Sequence, residues 1–430
     1  MSRHQPVSQA RTFSADPRRS SATGPGGRAH RLAWAATAAL VLLSAGCSSS
    51  SSTSSSLSNS PTVGVVHGDT VPVVTDLGPN SFTGPGPFSA GVTTLTLPSD
   101  GALVEVWYPA PRSAETGTPA SYNVTSWLPP SLQSLFPPNF NTATYVTGAF
   151  RDAPVEAGRF PLVVFTHGYS GFRDQSTFLT TRLASWGFVV AAPDLQDNDL
   201  TAVLSGKQSS GDAADLAEIQ GTINLMSTEN DQSASPLDSH LDLTRIAAVG
   251  HSLGGAASEA VAAADPRVTT FIGMAGATVG AFGQATSGPA SEVPQKPGML
   301  MVGTADHVVN PTGITRAFHA MATPKRLVTF QGFGHLLFSD ICEIAPGKGG
   351  LLALADQVHL PVSGSLRTLA TDGCFHPDSP VTKGWPAVRQ TVIAQLRHVF
   401  DFDSSLAGLT GLTAAFPGVV ATNVAVGAGK

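Results

Sequence analysis

The sequence predicts an α/β fold: a mostly parallel central sheet with an antiparallel edge on its N-terminal side and helices on both faces. Three observations point there. FPLVVFTHG (160–168), GFVVAAPD (187–194) and RIAAVG (245–250) are apolar runs without polar alternation, as in strands covered on both faces. Segments with helical spacing separate them, and strand and helix taken in turn close most simply as a parallel sheet. Two short alternating runs, VTTLTLP (92–98) and ALVEVWYPA (102–110), come first and read as the antiparallel edge.

With 430 residues, 42% of them apolar, the chain is long enough for one large domain or two ordinary ones. Residues 1–46 do not belong to that core. Arg28, His30 and Arg31 lead into LAWAATAALVLLSAGC (32–47), an uncharged apolar stretch too short for a comfortable membrane span and suited to export. Ser44, Ala45 and Gly46 before Cys47 resemble a bacterial lipobox, with Leu43 one place earlier than the usual aliphatic residue. The resemblance implies a signal peptide over 1–46, lipidation of Cys47, and a protein anchored on the outer side of a bacterial membrane; a plain secretory signal is the alternative. The tract SSSSSTSSSLSNS (48–60) completes a polar tether over 47–60.

The folded domain is expected over 61–403. Within it 111–159 is rich in Pro, Ser and Thr and contains SWLPPSLQSLFPP, so it reads as an insertion near the site. Helices are expected at STFLTTRLASW (176–186), DAADLAEIQGTINLMS (212–227) and GGAASEAVAAA (254–264). Strands follow at VTTFIGMAG (268–276), GMLMVGTAD (298–306) and KRLVTFQG (325–332), then a closing helix WPAVRQTVIAQLRHVF (385–400). The tail 404–430 is rich in Gly, Ala and Val with no charge before Lys430, and either adds a strand or stays loose.

Residues 1–46 hold six basic side chains and one acid, so the remainder carries 18 basic against 29 acidic ones. Nucleic acid is not an expected partner for such a surface. Apart from Cys47 only Cys342 and Cys374 remain, which in an oxidising compartment is most simply a disulfide, with two buried thiols as the alternative. Neither sits in a C-x-x-C pair and no H-E-x-x-H occurs, so no metal site is expected.

G-H-S-L-G (250–254) lies where a buried strand ends and a helix begins. A turn that tight strains the backbone of Ser252 and leaves no room for flanking side chains, which Gly250 and Gly254 do not have. It lifts the serine oxygen above the carboxyl edge of the sheet, at the N-terminus of the following helix. A serine hydroxyl needs a base to take its proton and an acid to hold that base in one tautomer. In this chain order the acid comes before the histidine, which selects Asp306 at the end of 298–306 and His335 in the loop GFGHLLFSD.

Asp340 is the alternative acid. His307 adjoins Asp306, and His319, His359, His376 and His398 lie in helical or loop contexts that suggest surface or packing roles. Donors for a tetrahedral oxyanion are expected from the backbone N–H groups of Leu253 and of Tyr169, with His167 shaping the Tyr169 loop. Phe172 and Trp186 either line a pocket or fill the core.

THGYSGFRDQSTFLTTRLASWGFVVAAPD, VGHSLGGA and GFGHLLFSDIC together resemble the α/β-hydrolase superfamily, and within it the bacterial relatives of platelet-activating-factor acetylhydrolase. RLASWGFVVAAPD is also similar to bacterial cutinase-like polyester hydrolases. The resemblance covers most of 85–400. It implies a serine carboxylic ester hydrolase acting on an ester or lipid-like small molecule. Ser252, Asp306 and His335 would be its triad, Tyr169 and Leu253 its oxyanion donors, with no metal and no organic cofactor. Acyl transfer to a cell-envelope alcohol on the same scaffold, and a non-catalytic surface-binding lipoprotein, are the alternatives.

Overall fold

In the computed structural model the described residues are 63–64, 71–137, 140, 144–209, 211–278, 293–345 and 350–427. The signal peptide, Cys47 and the tether lie outside them. The strands are β1 (Val63–Gly64), β2 (Val73–Val74), β3 (Ser89–Thr96), β4 (Leu103–Ala110), β5 (Pro119–Asn123), β6 (Thr144–Arg151), β7 (Phe160–Thr166), β8 (Val189–Pro193), β9 (Leu241–His251), β10 (Val268–Met274), β11 (Gly298–Gly303), β12 (Lys325–Phe330) and β13 (Val420–Val426). The helices are α1 (Pro130–Gln133), α2 (Thr177–Ser185), α3 (Leu200–Leu204), α4 (Asp212–Asp231), α5 (Leu253–Ala264), α6 (Pro311–Ala320), α7 (Gly350–Gln357), α8 (Gly364–Leu369), α9 (Val381–Val399) and α10 (Leu412–Ala415).

One 11-stranded sheet runs in the order β13-β12-β11-β10-β9-β7-β8-β4-β3-β6-β5. From β8 to β12 every neighbouring pair is parallel, while β4 joins β8 and β3 in antiparallel register. This is the mostly parallel sheet with an antiparallel N-terminal side that the pattern of runs predicts. Strand β7 shows why its run is uniformly apolar. Val163 and Phe165 face the core covered by α2 and α9, and Leu162 and Val164 face the core covered by α4, α5 and α6. Because β7 is buried on both faces, a polar residue at either set of positions would lose water without gaining a partner.

Two segments that the sequence left open take definite places. The stretch 111–159 supplies β5 and β6, which extend the sheet beyond β3, and also residues that hang over the site. The tail adds β13, antiparallel to β12 from Lys325↔Val426 to Phe330↔Val420. Cys342 and Cys374 form a disulfide with Cα atoms 5.0 Å apart, which removes the free-thiol alternative. Among the described residues no helix is long and apolar enough to cross a membrane.

Candidate active site

Strand order decides where the site forms. β8 lies on one side of β7 and β9 on the other, so the chain reverses its direction of growth there and leaves a crevice at the carboxyl ends of β7 and β9. Tyr169 follows β7 and Ser252 follows β9.

Ser252 has φ 58° and ψ −122°, outside the regions that L-residues ordinarily occupy. Its N–H donates to the Met274 carbonyl at 2.8 Å, and its own carbonyl accepts from Gly255 N–H at 2.9 Å. The glycines are required by contact. A Cβ on Gly250 would stand 2.2 Å from the Gly254 carbonyl oxygen, and one on Gly254 would stand 2.3 Å from that of Thr166. Gly276, which the motif does not include, is tighter still: its Cβ would meet the Ser252 carbonyl oxygen at 1.8 Å.

Asp306 and His335 come together as expected. His335 Nδ1 lies 2.9 Å from Asp306 Oδ2, with both side chains fully buried. Asp306 Oδ1 accepts from Val308 N–H at 2.9 Å and Val309 N–H at 2.7 Å, so the carboxylate cannot swing. With Nδ1–H donated to Asp306, the Nε2 lone pair is the basic end of the ring. Nε2 has no hydrogen-bond partner, and His335 and Ser252 border the same cavity. The sequence reading expects a hydrogen-bonded row; the structure makes the Asp306–His335 link and does not make the His335–Ser252 one. Catalytic hydrogen bonds are often long or poorly aligned without substrate.

The competing acid is excluded by its partners. Asp340 accepts from the N–H and hydroxyl of Thr177 and from Phe178 N–H, capping α2, and burial raises it to about 7. His307, the competing histidine, is exposed and bonded to Asp372 Oδ2 at 3.0 Å. Leu253 is the first residue of α5 and Tyr169 sits at the mouth of the cavity, 49% exposed; neither N–H is taken up by a backbone carbonyl. His167 shapes this loop: Nδ1–H donates to the Gly168 carbonyl at 2.8 Å, and Nε2 accepts from Leu195 N–H at 2.9 Å. Phe172 both lines the cavity and stacks on Trp127 at 4.0 Å, whereas Trp186 is core, edge-on to Phe82 at 4.8 Å.

Three positioning residues escape sequence reasoning. His251 Nε2–H donates to the His335 carbonyl at 3.0 Å and its Nδ1 accepts from Gln175 at 3.1 Å, pinning the histidine loop to β9. Burial, and after it the neighbouring His335, holds His251 well below the ordinary imidazole range, so it stays neutral. Asp372 Oδ1 accepts the His335 N–H at 2.6 Å from the other side. His251 occupies a variable position of the motif, and Gln175 and Asp372 lie in no motif at all, so only contact reveals them. His307, Asp372 and Asp378 do bring potential metal-ligand atoms within 4.8 Å of one another, yet Asp372 spends its oxygens on His307 and His335.

The disulfide belongs to this arrangement. Cys374 is two residues from Asp372, and the segment between the cysteines carries α7 and α8, whose Leu351, Leu354, Leu366 and Leu369 roof the cavity. Replacing both cysteines by serine is expected to lower unfolding stability by about 3 kcal/mol and to reduce turnover by loosening Asp372. Denaturant titrations of the two proteins check this, and coincident midpoints would show that the link contributes nothing.

Comparisons with known proteins point to the same fold. The chlorophyllase family model matches residues 148–275, which include Tyr169 and Ser252. Platelet-activating factor acetylhydrolase of Canis lupus familiaris is 30% identical over 141 residues, covering 30% of this chain and 31% of that protein. The Bos taurus enzyme of the same name is 28% identical over a stretch of the same length. The chain thus spans about a third of the length of these relatives. A solved ferulic acid esterase from Streptomyces cinnamoneus superposes with a TM-score of 0.54 at 22% identity, covering 79% of this chain and 96% of that one. Strand order, switch point, strained serine turn and this superposition together assign the chain to the α/β-hydrolase fold.

Proposed function

We propose that the protein hydrolyses carboxylic esters carrying an extended apolar group, through an acyl-enzyme on Ser252. The observation that carries this reading is the Asp306–His335 pair with its basic Nε2 bordering the same apolar cavity as a strained, buried serine. His335 takes the Ser252 proton as the oxygen attacks the ester carbonyl. The oxyanion settles on the Tyr169 and Leu253 N–H groups, the alcohol leaves with the proton from His335, and water repeats the sequence to release the acid. The matched relatives bear the names of ester hydrolases, which supports the same chemistry.

The apolar part of the proposal rests on the cavity wall. Val124, Leu128 and Phe136 from the stretch before β7 line the cavity together with Leu351, Leu354 and Leu366 from the disulfide-closed segment. Each methylene buried there contributes about 0.8 kcal/mol. A p-nitrophenyl ester series is therefore expected to show kcat/KM rising at least ~10-fold from acetyl to hexanoyl. A series that falls with length rejects the apolar site, and no turnover of any ester rejects the hydrolase. Acyl transfer uses the same groups with an alcohol in place of water, so a glycerol-containing assay that yields mainly the new ester would replace hydrolysis by transfer.

We also propose that Cys47 carries lipid and that the enzyme faces outward from a bacterial membrane. The supporting features are the lipobox-like residues and the serine tether. Palmitate fed to a bacterial host is expected to label the protein and not its Cys47→Ser variant; a wild type without label points instead to plain secretion.

A further inference from the structure

α2 and α9 pack together, and each brings an arginine to the wall of a second cavity of about 260 Å³. Arg182 comes from the last turn of α2 and Arg389 from α9. This cavity shares no lining residue with the one above Ser252. Neither arginine is in an ion pair among the described residues. Arg389 Nε–H donates to the Phe178 carbonyl at 2.9 Å. Its guanidinium carbon lies 5.8 Å from the ring centres of both Phe178 and Trp385, which stack on each other at 4.6 Å. The Arg182 Nε is buried with no hydrogen-bond partner.

Two half-buried guanidiniums on the wall of one cavity are costly. Each loses hydration, and they repel one another. Burial, and after it the charge of Arg182, pulls Arg389 down to about 10, and burial lowers Arg182 as well. Both nonetheless remain cationic at neutral pH. The acids nearby offset them only in part: the charge of Asp340 favours the Arg389 guanidinium, but no ion pair forms among the described residues. Asp340 lines the cavity but turns its carboxylate to the first turn of α2, and Glu343 stands at the exposed rim without an ion pair. Other buried or half-buried arginines have side-chain oxygen partners: Arg173 has Asp194 at 2.6 Å, Arg397 has Asp403 at 2.7 Å, and Arg326 has Gln395 at 3.0 Å and Asn423 at 2.7 Å. Apart from the Arg389 bond to the Phe178 carbonyl, the α2–α9 pair is left with donors and charge but no carboxylate in an ion pair.

We propose that this cavity is an anion-binding site that takes a phosphate group between Arg182 and Arg389. Two planar forks present paired N–H donors to a tetrahedral oxyanion of more than one charge, the geometry in which arginine binds phosphate best. The stacked Phe178 and Trp385 give the group attached to the phosphate an apolar wall. Free phosphate and the headgroup of an anionic phospholipid share this chemistry. The site stands independently of the reaction at Ser252.

Calorimetric titration of the purified protein with inorganic phosphate, and separately with dihexanoyl phosphatidic acid below its micelle concentration, tests it. Saturable 1:1 binding of at least one probe is expected, with chloride at equal ionic strength giving none. Arg182→Gln removes an unpaired charge without breaking a hydrogen bond and is expected to weaken binding at least tenfold. Arg389→Lys, which keeps the charge and loses the fork, should weaken it less. Lipid binding tenfold tighter than phosphate identifies a headgroup site, and equal affinity a free-anion site. Absence of saturable binding by either probe to the folded wild type overturns the proposal, as does Arg182→Gln binding as tightly as wild type.

Discussion

Ser252→Ala is expected to lower kcat for p-nitrophenyl esters by about 10⁶-fold while leaving the fold intact. The substitution removes one oxygen at the edge of a cavity, and alanine suffers the same strain at φ 58° as serine does, so the backbone bonds to Met274 and Gly255 remain. Melting should shift by no more than a few degrees. The loss is large because no second hydroxyl stands at that point of the turn, and without a nucleophile His335 has no proton to take. A fluorophosphonate probe should label wild type and not the variant. Retained turnover together with retained labelling would remove Ser252 from the mechanism.

Asp306→Asn should cost about 10⁴-fold in kcat with KM little changed. Asparagine fits the space, and its carbonyl oxygen can still accept from Val308 and Val309 N–H. Its amide then turns NH₂ toward His335, so Nδ1 must become an acceptor and the ring proton moves to Nε2. The base is thereby blocked at Nε2, the ring nitrogen that Asp306 leaves free in a residue bordering the same cavity as Ser252. Steady-state kinetics decide the matter. A variant within tenfold of wild type would mean that Asp306 only packs against the ring, and Asp340, already committed to α2, could not take its place without unfolding that cap.

Much of the fold was legible because its signals are local or periodic. The run 160–166 needs no polar alternation when both faces are covered, and β7 is buried throughout. Gly250 and Gly254 announce the serine turn because any side chain there would collide with backbone a few residues away in space. The order serine, acid, histidine follows from successive strands of a parallel sheet ending at the same edge.

What lay beyond the sequence depends on contacts between segments far apart along it. Gly276 is an ordinary loop glycine until β10 sets it against the Ser252 carbonyl. His251 and Asp372 clamp His335 from opposite sides, and neither belongs to a recognisable spacing. The roof over the site comes from α7 and α8, short helices with no motif, brought into place by packing and by the Cys342–Cys374 link.

By itself the sequence determined the strand-helix alternation, the strained turn at Ser252, His335 as the candidate base and Asp306 or Asp340 as the candidate acid, because sterics and residue type act over a few neighbours. Only the tertiary structure set Asp306 and not Asp340 against His335, placed β13 at the sheet edge, and brought Arg182 and Arg389 to the wall of one cavity without an ion pair among the described residues. The physical reason is that hydrogen bonding, burial and charge pairing depend on distance in space, and a linear pattern carries that distance only where the chain is locally rigid.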